Sequence, residues 1–290
     1  MPSDGVRWLP RAIAVLGVLT LLEATAIAND TDPDDVALEA DNADEASEAS
    51  EGYFASHPFR FTLGTGVEFS TGDFGGDSTT NIWYVPSSLK LEWDPIVVKL
   101  TVPWVYIDGD VVLVSDQPES VPVSLGSRNA LGDIMLSTSY VQYPLFNWMP
   151  LFELTGKVKF GTADEKKGIG TGENDYSLQL DASKQFGRLT PYGAVGYTFI
   201  GDPSGFDLQN KLFAYGGLVL ELHDRIHVGV GYDWAQSAVA GTSDFHEVSP
   251  FATIELGRHV AIDPYAVIGL SSPAPDWGVG VQLRLIWERD

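Results

Sequence analysis

The sequence predicts an all-β fold: a transmembrane, antiparallel, up-and-down β-barrel of about twelve strands, preceded by a signal peptide and an acidic disordered segment. Three observations carry this expectation. From Tyr53 onward apolar and polar residues alternate with period two, the connections between alternating segments are by turns short and long, and Trp residues gather at two levels.

The alternation is clearest in three places. Tyr176, Leu178, Leu180 and Ala182 interleave with Ser177, Gln179, Asp181 and Ser183. Ile226, Val228, Val230, Tyr232 and Trp234 interleave with His227, Gly229, Gly231 and Asp233. Trp277, Val279, Val281, Leu283, Leu285 and Trp287 interleave with Gly278, Gly280, Gln282 and Arg284, with Ile286 the exception. Successive strand residues point to opposite faces, so each segment presents one apolar and one polar face. The same pattern places strands at 57–70, 81–93, 96–107, 132–143, 151–161, 174–186, 189–200, 210–222, 226–237, 246–257, 260–271 and 276–287.

The connections at 93–95, 144–150, 187–188, 223–225 and 258–259 are short. Those at 71–80, 108–131, 162–173, 201–209 and 238–245 are longer and rich in Gly, Asp, Ser or Pro, with 272–275 a weaker sixth. Short periplasmic turns and long outer loops are the rhythm of a meander across an outer membrane. Trp93, Trp148 and Trp287 fall at the short-turn end; Trp83, Trp104, Trp234 and Trp277 fall near the long-loop end. Such girdles suit a ring whose apolar body seeks lipid and whose N–H seeks headgroups, whereas a soluble sandwich has no reason to sort Trp by height.

Before the strands come two other segments. Residues 1–28 carry Arg7 and Arg11, an apolar run from Ala12 to Leu22, and Ala26-Ile27-Ala28 before Asn29, which reads as a cleaved secretory signal peptide. Residues 29–52 hold ten acidic residues and no basic one, a self-repelling composition that reads as a mobile tether. The barrel is expected over 53–290.

Composition removes several classes of function. With 17 Lys and Arg against 40 Asp and Glu, a formal net charge of −23, there is no positive field to hold a nucleic acid. The absence of Cys excludes disulfide scaffolds, Cys-ligated zinc and thiol catalysis. No cofactor is expected.

The polar faces would line the interior. Lys90, Lys99, Lys157 and Lys159 sit on the second, third and fifth strands, while Glu221, Asp233, Glu255 and Asp263 occupy the eighth to eleventh. Opposed walls of unlike charge would orient a polar solute in a narrow passage; alternatively, neighbours such as Asp263 and Arg284 satisfy one another in a packed interior. Candidate solute contacts are Lys90, Lys99, Lys157, Lys159, Tyr192, Tyr215, Asp233 and Tyr265, and Glu221, His227, Glu255, Asp263 and Arg284 form a cluster toward the periplasmic end. His57, His223, His246 and His259 fall at strand ends or turns, and no metal site is expected from His227 and its carboxylates. Barrels of eight strands are filled by side chains and those of about sixteen to eighteen leave open channels, so about twelve implies a narrow or gated passage.

An ordered set of motifs adds a resemblance. Leu131-Gly132-Asp133-Ile134 opens a strand; Lys157-Val158-Lys159-Phe160-Gly161-Thr162 leads into Gly168-Ile169-Gly170-Thr171-Gly172; Asp175, Ser183-Lys184-Gln185-Phe186 and Val195-Gly196-Tyr197 follow. This set resembles the Gram-negative outer-membrane family labelled "transporter" or "Putative MetA-pathway of phenol degradation", best over 131–200, although that family usually carries Pro-Thr-Gly where this chain has Phe160-Gly161-Thr162. The resemblance implies passive uptake of small hydrophobic or aromatic solutes through the bacterial outer membrane, without chemistry. The partners it implies are outer-membrane lipid and lipopolysaccharide, a small-molecule solute and the barrel-assembly machinery, for which Trp287 would serve as the terminal aromatic. The alternatives are a lipid-active enzyme of phospholipase or lipid A deacylase type and a non-conducting structural barrel.

Overall fold

The computed structural model describes residues 59–114, 117–120, 126–201, 203 and 208–289. The expected signal peptide over 1–28, the tether over 29–52, and residues 53–58 with His57 lie outside them. The strands are β1 (Phe59–Gly72), β2 (Thr80–Trp93), β3 (Ile96–Asp108), β4 (Val111–Val114), β5 (Gln117–Ser120), β6 (Ser127–Leu131), β7 (Ile134–Gln142), β8 (Leu151–Phe160), β9 (Asp175–Ser183), β10 (Leu189–Phe199), β11 (Lys211–His223), β12 (Ile226–Ala235), β13 (Phe245–Glu255), β14 (Val260–Gly269) and β15 (Trp277–Arg289).

β1, β2, β3 and β7 to β15 close into a twelve-stranded antiparallel barrel, each paired with its neighbour and β15 returning to β1. The seam is long, running from Phe59↔Arg289 to Thr71↔Trp277, and at its foot Arg60 meets Glu288 at 2.7 Å. No helix among the described residues is long and apolar enough to cross a membrane.

The strand bounds agree with the sequence pattern to within a few residues, with one substantial correction. The stretch 108–131, expected as a loop, contains the β4–β5 hairpin and β6, which extends the line of β7 along β3 beyond the interruption at Gly132-Asp133. Its physical reason lies in Val111, Val112 and Leu113, an apolar run that is buried and whose base Arg128 ties down by donating to the carbonyls of Gly109, Gly126 and Val111.

Alternation sorts the side chains as the pattern requires. Along β1, Arg60, Thr62, Glu68 and Ser70 are buried, while Phe59, Leu63 and Val67 are exposed. Trp93 and Trp148 at the short-turn end are 68% and 74% exposed, and Trp83, Trp104, Trp277 and Trp287 are exposed as well; Trp234 is half-buried on the outer face, its Nε1 donating to Asp244. Phe69 bridges Trp83 and Trp277 with centroid separations of 5.0 and 5.6 Å, so the upper girdle is continuous across β15, β1 and β2. Trp83 to Trp93 and Trp277 to Trp287 each span about ten residues, which at ~3.3 Å per residue is roughly 33 Å of strand. Tilted by about 40°, that covers roughly 25 Å, the height of an outer-membrane hydrocarbon band.

Inside, the two halves are filled differently. Toward the short-turn end the pair expected between Asp263 and Arg284 is made in bidentate form, Nε at 2.6 Å and a terminal nitrogen at 2.8 Å, with Thr253 donating to the same carboxylate at 2.7 Å. Arg284 is the largest fully buried side chain, at 1% exposure. Toward the long-loop end the filling is apolar: Phe74, Ile82, Val105, Ile107, Val111, Leu113 and Ile169 pack together. Removing one partner of a buried ion pair leaves an uncompensated charge. Arg284→Met is therefore expected to lower the unfolding free energy by about 3–5 kcal/mol, with Asp263→Leu restoring most of it in the double variant, as read by urea unfolding in lipid vesicles.

Candidate functional site

Register places the inward residues in rows that run along the hydrogen bonds from strand to strand. One row reads Thr62, Lys90, Lys99, Ser137, Lys157, Ser177, Thr198 and Lys211. Lys90 and Lys99 lie three residues from the short-turn ends of β2 and β3, whereas Lys157 lies three residues from the long-loop end of β8 and Lys211 opens β11 at that same end. The basic residues thus form a climbing row, because barrel strands tilt and register staggers. Sequence reasoning missed Lys211, whose place in the row is set by register alone. Lys90 is 3.6 Å from Glu92, and Lys99, Lys157 and Lys211 are also engaged with neighbours.

Lys159 has a different task. Its Nζ lies 2.7 Å from Asp133 and 3.2 Å from Asp175, and it donates to the Glu173 carbonyl at 3.2 Å. The other oxygen of Asp133 accepts from the Ala163 backbone at 2.8 Å, and Thr162 Oγ1 accepts from the Ile134 backbone at 2.9 Å. These bonds fold the loop 161–174 inward, so that Ile169, at 1% exposure, enters the apolar cluster. The glycines of this stretch have physical reasons: Gly168 and Gly172 have φ of 62° and 76°, and a Cβ on Gly161 would overlap the backbone of Gly172. The motifs Leu131-Gly132-Asp133-Ile134 and Lys157 to Thr162 are thus two halves of one loop lock. Asp133 is its hub, a role that its place at a strand start does not disclose.

The residues expected to cluster at one end fall on adjacent strands, with both ring nitrogens of His227 buried and without a hydrogen-bond partner among the described residues. Glu221 stands opposite His227 in the strand register and His227 opposite Thr253, whose hydroxyl donates to Asp263; Glu255 stands opposite Ala261, which stands opposite Arg284. Among the described residues no group of three His, Cys, Asp or Glu could hold a metal ion. His246 meets the Tyr232 hydroxyl at 2.6 Å and His259 the Ile286 carbonyl at 2.9 Å, and among the described residues no Ser hydroxyl bonds to a His ring.

Between the charged foot and the apolar top lies a waist of rings. Tyr192, Tyr215, Phe251 and Tyr265 are all buried on the inner face and continuous with the apolar cluster. Three of these rings, and Phe213 beside them, lie across a glycine on the neighbouring strand: Phe213 over Gly196, Tyr192 over Gly217, Phe251 over Gly229 and Tyr265 over Gly280. A Cβ on any of the four glycines would overlap the ring, so the glycines let the rings lie against the wall instead of across the lumen. Tyr215 instead bonds to Asp181, and Gln179 joins them, donating to Asp181 at 2.8 and 2.9 Å and to the Tyr215 hydroxyl at 2.9 Å.

Asp133→Ala is expected to free the loop from its lock. Trypsin should then cut after the exposed Lys166 or Lys167 faster than in the wild-type barrel, as followed by mass spectrometry of the folded protein.

The family model described as "Putative MetA-pathway of phenol degradation" matches residues 64–287. Among solved structures, an outer membrane channel from Pseudomonas putida F1 aligns with a TM-score of 0.59 at 12% identity, covering 79% of this chain and 95% of that one. The KdgM porin aligns with a TM-score of 0.48 at 11% identity, covering 77% and 98%, and the NanC porin with 0.48 at 7%, covering 79% and 100%. No curated protein matches the sequence. The likeness to the first structure is one of fold, an outer-membrane-type barrel, and the family match spans nearly all of the strands: the chain belongs to the Putative MetA-pathway of phenol degradation family.

Proposed function

We propose that this barrel is a narrow outer-membrane channel for passive uptake of small hydrophobic or aromatic solutes, driven by the solute gradient and without chemistry. The observation that carries this reading is the column of apolar and aromatic side chains inside the barrel, from Phe74, Ile82 and Ile169 at the loop end to Tyr192, Phe251 and Tyr265 at the waist. An interior that served only to hold the strands together could be filled throughout by ion pairs, as the foot of this barrel is. A hydrophobic column instead offers a partly desolvated solute a surface that competes with water. Membership of a family named for phenol degradation, and a fold shared with the Pseudomonas putida outer membrane channel, support the same direction.

In this reading the outer face contacts lipid and lipopolysaccharide through its girdles, residues 1–28 direct export, and the barrel-assembly machinery inserts the chain. Lys90, Lys99 and Lys157 line the climbing path, while Lys159 acts indirectly by holding the loop that narrows the entrance.

Lipopolysaccharide is the barrier that such solutes must bypass, so the test is made in cells. Gram-negative cells producing the protein should take up radiolabelled ethylbenzene severalfold faster than cells without it; equal initial rates would sink the proposal. Gly280→Ala should reduce that rate, because the added methyl drives the Tyr265 ring off the wall and into the passage. Heat-modifiable migration of the variant reports whether the barrel still folds.

A further inference from the structure

The tyrosines that cross glycines at the waist are not equivalent. Tyr265 on β14 crosses Gly280 on β15, and its hydroxyl donates at 2.7 Å to Glu68 on β1, the residue opposite Gly280. Tyr192 on β10 repeats the arrangement across Gly217 on β11, but the residue opposite Gly217 on β12 is Gly231, which offers no acceptor side chain. The Tyr192 hydroxyl is accordingly buried without a hydrogen-bond partner among the described residues, and so is Oδ2 of Asp233, the next inward residue on β12. Both residues are 6% exposed, and Asp233 is close enough to act electrostatically on the Tyr192 hydroxyl.

Around this pair the waist gathers carboxyl groups. Asp233 stands directly opposite Glu247 on β13, a like-charge pairing that a sheet ordinarily avoids. Glu247 accepts only from the Ser249 hydroxyl at 3.2 Å, and Glu68 is near enough to act on it electrostatically. Among the described residues none of these three carboxylates is paired with Lys or Arg, whereas the basic residues of the climbing row are all engaged. Buried polar groups are normally paired or hydrogen-bonded, so two carboxyl groups held by one hydroxyl each, a third with an unpartnered oxygen, and an unpartnered phenol beside them form a set shaped for a cation that is not part of the chain.

We propose that Asp233, Glu247, Glu68 and Tyr192 form a cation filter at the waist, which favours solutes carrying a protonated amine on a small apolar or aromatic body over anionic analogues. An ammonium group donates to Asp233 and Glu247 and to the Tyr192 hydroxyl oxygen, while the faces of Tyr192 and Phe251 attract it through their quadrupoles. The apolar column accommodates the remainder of the molecule. This deepens the channel reading and rests on it: the column admits the body, and the carboxylates choose the head.

The experiment is a reversal-potential measurement on the full mature protein in planar lipid bilayers, under a gradient first of KCl and then of benzylammonium chloride, with sodium benzoate as the anionic comparison. Discrete conductance with a reversal potential favouring cations, larger for benzylammonium than for potassium, is the expected result. Asp233→Asn with Glu247→Gln should bring the preference close to none. Should that double variant fail to fold, Tyr192→Phe, which keeps the ring over Gly217, should still reduce the benzylammonium preference. Conductance that is non-selective or anion-selective would overturn the filter while leaving the channel standing. A cation preference unchanged in the folded double variant would overturn the assignment to these residues. Silence from a barrel whose heat-modifiable migration shows it folded would overturn the channel and the filter together.

Discussion

Within hydrocarbon no water accepts a backbone hydrogen bond, and nearly everything in this structure follows from that constraint. Twelve strands satisfy their amides by closing on one another, and closure forces them to tilt and stagger. Tilt sets the height that ten residues of strand can span, and so fixes where the two Trp girdles fall. Stagger sets the rows along which interior side chains meet, and so decides that Lys90 and Lys211 share a row although they stand near opposite ends of the barrel.

The interior then has to be filled without water's help in compensating charge. At the foot this is done with ion pairs, of which Arg284 with Asp263 is the most deeply buried. At the top it is done with apolar side chains brought in by a loop lock, Asp133 and Lys159 holding Ile169 in place. At the waist it is done with rings lying over glycines. That third device sets the volume of the rings along the wall, against the glycine backbone of the neighbouring strand.

The division between what could and could not be read from the sequence follows the range of each signal. Alternation is local, so Tyr176 to Ser183 or Ile226 to Trp234 announced their strands and their two faces directly. The girdles needed only strand direction added to residue position. Depth and register are collective, and they escaped. The sequence assigns Lys90, Lys99 and Lys157 to their strands, but that they share one hydrogen-bonded row with Lys211 follows only from the register. Asp133 looked like a strand-opening residue because its partners, Lys159 and Ala163, are reached only once the loop is folded. Gly229 and Gly280 read in the alternation simply as small inward residues, since each is explained by a ring on the neighbouring strand. Val111 to Leu113 carries no alternating signal, because a four-residue strand lies below what alternation can resolve.

The seam between β1 and β15 joins Arg60 to Glu288 across 228 positions of the chain. A partly made barrel lacking β15 would carry two unpaired edges, those of β1 and β14, and would lack the partner of Asp263 as well, because Arg284 lies on the missing strand. The closing strand therefore completes the wall and neutralises the foot of the interior in the same step. Completeness is registered chemically at one place, where an edge disappears and a buried carboxylate gains its guanidinium, so a truncated copy differs from a finished one in both hydrogen bonding and charge.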